Sequence, residues 1–134
     1  MRYFNSIIII ALTAALLLAV LLPRKDNRPF ISLDRERFEL LIADSSVTVV
    51  DVRTPEEYAR WHYPRAININ VQSRDFDVRI DSLDNIDDIH IVAVYDRYGN
   101  SSKAAATIIS ARGFVVFELN EGVERRGQGR LNTP

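Results

Sequence analysis

Two apolar runs govern what this chain can become. Residues 47–52 (Val-Thr-Val-Val-Asp-Val) and 90–95 (His-Ile-Val-Ala-Val-Tyr) are bounded by polar residues, and a helix start follows each at short range. A continuous apolar run, rather than an alternating one, is expected of a strand buried on both faces. A strand followed by a helix and then by another such strand builds a parallel sheet with helices packed on it. Thr54-Pro55-Glu56-Glu57 is the first helix start, with Thr54 as N-cap, Pro55 in the first turn and Glu57 closing a capping box. Residues 101–112 form the second helix, ended by Gly113, whose missing Cβ permits a left-handed cap.

Weaker signals complete the domain. Residues 114–119 (Phe-Val-Val-Phe-Glu-Leu) read as the last strand, 66–69 as a short one, and Phe30 and Ile31 as an added edge strand. Ser32 precedes a helical stripe of Leu33, Phe38, Leu41 and Ile42, with Asp34 and Glu36 suited to its positive end. Residues 73–83 put Phe76, Ile80 and Leu83 on one helix face. The expected architecture is a three-layer α/β domain over residues 29–126 with a mainly parallel five-stranded sheet. Residues 127–134 form a tail, and 125–130 (Arg-Arg-Gly-Gln-Gly-Arg) are basic and glycine-rich with no apolar stripe.

Residues 1–28 read differently. Residues 7–22 carry no charge and a single hydroxyl, Thr13. Sixteen helical residues cover about 24 Å, and extension back to Tyr3 gives twenty, enough to span a hydrocarbon core of roughly 30 Å. Tyr3 and Phe4 then fall at the interface, where aromatic rings are favoured. The expectation is a single-pass membrane helix over residues 3–22. A cleaved secretory signal is the alternative, although Leu21-Leu22-Pro23 makes a poor cleavage site. Arg24, Lys25 and Arg28 after the segment outweigh Arg2 before it and draw the domain to the cytoplasmic side, whereas the signal-like position argues for export. The side of the membrane stays open.

Composition excludes several functions. With 134 residues there is room for one core, and a net charge of -1 offers no basic surface for nucleic acid. The chain has no cysteine, so disulfides, iron–sulfur clusters and thiolate mechanisms are absent. His90 has no second histidine beside it, and the run Asp81, Asp84, Asp87, Asp88 lacks the glycine and spacing of a calcium loop. No metal site and no cofactor are implied.

Three motifs carry a resemblance. Asp51-Val-Arg-Thr-Pro-Glu-Glu-Tyr58 is followed by His62-Tyr-Pro-Arg-Ala-Ile-Asn68; Tyr95 precedes Arg97, Gly99 and Asn100; and Leu119-Asn-Glu-Gly-Val-Glu124 closes the region. In order and spacing these resemble the rhodanese-like domain over roughly residues 30–124. The resemblance implies a sulfur-transfer loop at residues 96–102, where the family carries a cysteine that takes sulfane sulfur as a persulfide. Here that position is Asp96, and the family's later loop arginine is Ser101. A carboxylate forms no persulfide, and its charge opposes an incoming anion. The loop remnant is Asp96, Arg97, Tyr98, Gly99, Asn100, Ser101 and Ser102, with no catalytic residue assigned. Asp51, Arg53 and His62 are its supporting residues, expected to hold the strand end and the following turn.

Asp96 has three possible roles: a cap that closes its own loop through the backbone amides, a recognition edge with Arg97, or an aspartyl nucleophile. Trp61, Tyr63 and Tyr98 are candidates for an aromatic patch at the loop mouth. The resulting expectation is a membrane-anchored, catalytically inactive rhodanese-like module that binds a protein partner at that mouth. The alternatives are a persulfide-transfer subunit relying on a partner's thiol, a hydrolase using Asp96, and a structural remnant without a ligand.

Overall fold

A computed structural model describes residues 29–83 and 90–124. Five strands, β1 (Ile31–Leu33), β2 (Thr48–Asp51), β3 (Ile67–Asn68), β4 (Ile91–Tyr95) and β5 (Val115–Leu119), form one sheet in the order β1-β5-β4-β2-β3. Every pairing is parallel. Four helices cross between the strands: α1 (Arg35–Ile42), α2 (Pro55–Arg60), α3 (Phe76–Asp81) and α4 (Ser101–Ser110).

Alternation along the strands divides the interior in two. Val50, Val92, Val94 and Val116 face α3 and α4, packing on Phe76, Ile80, Ala105, Ala106 and Ile109. Val49, Ala93, Tyr95 and Leu119 face the other way, onto Phe38 and Ile42 of α1 and onto Tyr63. The three-layer arrangement expected from the apolar runs is therefore present, with the sheet wholly parallel.

Several boundaries differ from the sequence expectation. The edge strand runs through Ser32 and Leu33, and α1 begins after Asp34, whose carboxylate accepts the Arg37 N–H at 2.9 Å. Pairing of Leu33 with Leu119 outweighs the helical stripe that included it. The helix expected over 73–83 shortens to α3, and β3 keeps two residues. The capping box of Thr54 and Glu57 forms as expected.

The turn before β3 holds Arg65 at φ 63°, a conformation that costs an L-residue roughly 1 kcal/mol or more. Its guanidinium donates to the carbonyl of Ile42 at the end of α1 and to those of Asp44 and Ser45 in the turn beyond it.

Among the described residues no helix is long and apolar enough to cross a membrane. The segment expected to do so, residues 3–22, lies outside them, as do Asp84, Asp87, Asp88 and the tail from 125 onward.

Candidate functional site

The carboxyl ends of β2 and β4 stand side by side, Asp51 opposite Tyr95. From β4 the chain turns through residues 96–100 into α4, and Asp96, 5 % exposed, aims its carboxylate back into that turn. Oδ1 accepts the Gly99 N–H and, at 3.2 Å, the Ser102 hydroxyl. Oδ2 accepts the N–H groups of Asn100 at 3.1 Å and Ser101 at 2.7 Å. The first amides of a helix have no partner within it, and Asn100, at the N-cap of α4, gives no side-chain bond. Asp96 serves that end from upstream, where the helix dipole favours negative charge.

Gly99 is at φ +81°, and a Cβ on it would lie 2.7 Å from the Glu121 nitrogen. That close approach comes from a strap, residues 120–124, laid over the loop. Val123 N–H donates to the Asp96 carbonyl at 3.0 Å and Glu124 N–H to the Arg97 carbonyl at 2.9 Å. Arg35 of α1 holds the strap from outside, donating to the Gly122 and Val123 carbonyls at 3.2 and 2.9 Å. Arg97 bridges Glu124 at 2.8 Å and Glu57 at 3.7 Å, its guanidinium 5.0 Å from the centre of the Tyr98 ring.

Beneath the loop Lys103 donates to the Gly99 carbonyl at 2.7 Å and the Asn120 side chain at 3.2 Å. Its ammonium is also 2.6 Å from Oε1 of Glu118, a fully buried residue of β5. Burial raises the Glu118 carboxyl above the usual carboxylate range, with Lys103 opposing the shift. Sequence reading missed this pair. The available signal was the two-residue period of β5, which sends Glu118 to the same face as Val116.

Arg53 binds Asp51 through two nitrogens, at 3.0 and 2.7 Å, and donates to the Trp61 carbonyl at 2.6 Å. Its charge is spent on the strand end and is not free to clamp an anion. His62 is exposed, stacked on Tyr58 at 3.8 Å with Nδ1 2.9 Å from the Tyr58 carbonyl, so it belongs to its own turn.

The aromatic patch does not assemble as expected. Tyr63 is 6 % exposed, donating to Glu39 at 2.9 Å and accepting from Arg35 at 3.3 Å. Burial raises its pKa to about 12. Trp61 packs edge-on against it at 4.9 Å, and only Tyr98 of the three lines the loop mouth. That mouth is a cavity of about 180 Å³ bounded by Arg53, Thr54, Glu57, Asn70, Gln72, Asp96, Arg97, Tyr98 and Ser101. It falls short of the roughly 300–1,000 Å³ of small-molecule pockets. Among the described residues no group of three or more metal-ligating side chains comes together.

Comparison with known proteins gives a consistent answer. A family model described as the rhodanese-like domain matches residues 34–125. A rhodanese-related protein from Thermoplasma volcanium is 25% identical, covers 70% of this chain and 87% of its own, and superposes with a TM-score of 0.56. A rhodanese-like domain protein from Staphylococcus aureus is 24% identical, covers 78% and 99%, and gives 0.58. A protein from Bacillus halodurans is 26% identical over 69% of this chain and 68% of its own, at 0.56. No curated protein matches the chain.

Proposed function

Because the chain belongs to the rhodanese-like domain family, we propose that it is a non-catalytic member held at a membrane by residues 3–22, and that it presents its former sulfur-transfer loop to a protein partner. One observation carries this reading. The donors at the head of α4 are occupied by the Asp96 carboxylate of the same chain. A thiosulfate or persulfide approaching there meets a filled cradle and a like charge, and no thiolate exists in the chain to take the sulfur. The Asp96 carboxylate is equally poorly placed as a nucleophile, since both of its oxygens are engaged.

What the loop leaves available is its outer rim. Arg97 and the 40 % exposed Tyr98 project from a backbone that the strap and Asp96 hold rigid. A rigid rim with a stacked guanidinium and phenol suits protein contact, where arginine and tyrosine are favoured anchors. The small cavity beside them suits a side chain better than a free metabolite.

The test has two arms on the full-length chain. Assayed for sulfur transfer from thiosulfate to cyanide, the purified protein should stay at background, and turnover that disappears in Asp96→Ala would overturn the inactive reading. Asp96→Cys alone should restore little, because Ser101 stands where the family has arginine. A photo-crosslinker at position 98 should capture a discrete partner in the protein's own cells, with capture lost in Arg97→Glu. Equal labelling from position 78 on α3 would remove the recognition role.

A further inference from the structure

The strongest unassigned feature lies at the opposite end of the sheet from the loop. β5 is an interior strand, flanked by β1 and β4, so both of its faces should be covered. On the α1 side the described residues leave part of β5 uncovered. Val115 is 39% exposed, and Phe117 is half-buried but packs into neither interior cluster. Ile31, register partner of Phe117 on β1, is 52% exposed. α1 covers the next part of this face, where Phe38 and Ile42 meet Ala93, Tyr95 and Leu119, and ends its cover there. Ile31 and Val115 are the first residues of their strands, so the bare corner is at the amino edge of a wholly parallel sheet.

The chain outside the described residues indicates what meets this corner. Ile31 is where the polypeptide enters the domain, separated by the eight residues 23–30 from Leu22, which ends the uncharged run. At roughly 3.3–3.6 Å per residue that linker reaches less than about 30 Å even when fully extended. It carries Arg24, Lys25 and Arg28, side chains drawn to anionic headgroups. The tail from residue 125 has no apolar stripe with which to cover the corner. A helix over residues 7–22, apolar on every side, would leave its far side wet if it folded back there.

We propose that Ile31, Val115 and Phe117 form a lipid-contacting corner, seated in the interface of the bilayer that residues 3–22 enter, so that the Asp96 loop faces away from the membrane. This rests on the anchor reading above. It adds a fixed orientation: the amino edge of the sheet down on the lipid, the carboxyl edge with Arg97 and Tyr98 out toward a soluble partner.

The absence of cysteine makes the test direct. Full-length Ile31→Cys, Val115→Cys and Tyr98→Cys, each carrying one fluorophore, are reconstituted into vesicles of phosphatidylcholine and anionic phosphatidylglycerol doped with a lipid nitroxide. Labels at 31 and 115 should be quenched several-fold more than the label at 98, and should be shielded from aqueous iodide. Vesicle flotation and carbonate washing of the same samples report the anchor separately. A chain that floats and resists carbonate while 31 and 115 quench no more than 98 overturns the lipid contact and leaves the anchor standing. Shielding from iodide without lipid quenching means that protein covers the corner, which also overturns it. A chain that fails to float removes the anchor, and the orientation falls with it.

Discussion

Gly122 lies directly against the carbonyl of Arg97, so close that a methyl group on it would run into the Arg97 carbonyl and the Tyr98 nitrogen. The strap can cross the Asp96 loop only because this residue has no side chain, and its φ of +70° suits glycine for a second reason. Gly122→Ala should therefore destabilise the domain by about 2–4 kcal/mol, adding overlap to backbone strain. Gly113→Ala is the comparison, since its φ of +92° carries the strain but nothing lies within 4 Å. That variant should lose only about 1–2 kcal/mol. Urea titration of both, side by side, separates the two contributions.

Asp96→Asn keeps the shape and removes acceptors. An amide presents one oxygen, so its NH₂ must point at amide hydrogens that now bond a carboxylate. The expected cost is about 1–3 kcal/mol at neutral pH. Asp96→Ala, which leaves the Gly99, Asn100 and Ser101 amides without the side chain, should cost at least as much. If both variants melt with the wild type, the carboxylate does not hold the loop.

Glu118 gives a pH dependence of defined sign. Its folded-state carboxyl is raised above the usual value of 4.5 by burial, while the Lys103 ammonium pulls it down and offsets part of the shift. A raised folded value means that the unfolded chain ionises first. The contribution is present below pH 4.5 and is lost as pH rises through the folded value. Glu118→Gln should accordingly improve relative to wild type as pH is raised from about 4.5 toward neutrality. A stability difference that stays flat with pH, followed by denaturation at each pH, would refute the shift.

Tyr63 makes the corresponding prediction at the alkaline end. Burial, then the Glu39 hydrogen bond, raises its hydroxyl from 10.0 to about 12, while Arg35 pulls it down. Stability linked to this group is intact below pH 10 and drains as pH approaches 12. Phenolate absorbance should show a late-titrating tyrosine that disappears in Tyr63→Phe.

The parts of this fold legible in the sequence were those specified by short stretches alone. β2, β4 and β5 are continuous apolar runs, and the start of α2 is written in four consecutive residues. β1 was legible only in part, because Ser32 and Leu33 carry a helical pattern that pairing with β5 overrides. The same limit governs the site. Asp96 as a cap followed from a strand leading into a helix, a local fact. The strap, the Lys103–Glu118 pair and the burial of Tyr63 depend on contacts between segments distant in the chain, and no window of residues displays them.

The pairing of β1 with β5 also sets an order of assembly. During synthesis β1 is the first of the five strands to emerge and its only neighbour in the sheet is the last. Until Phe117 is delivered to Ile31, the loop between them stays unclosed, and closing long loops slows folding. The strap that locks Asp96 comes later still, after β5. Any arrangement of the chain that lacks β5 therefore leaves β1 without its partner and the Asp96 loop without its strap.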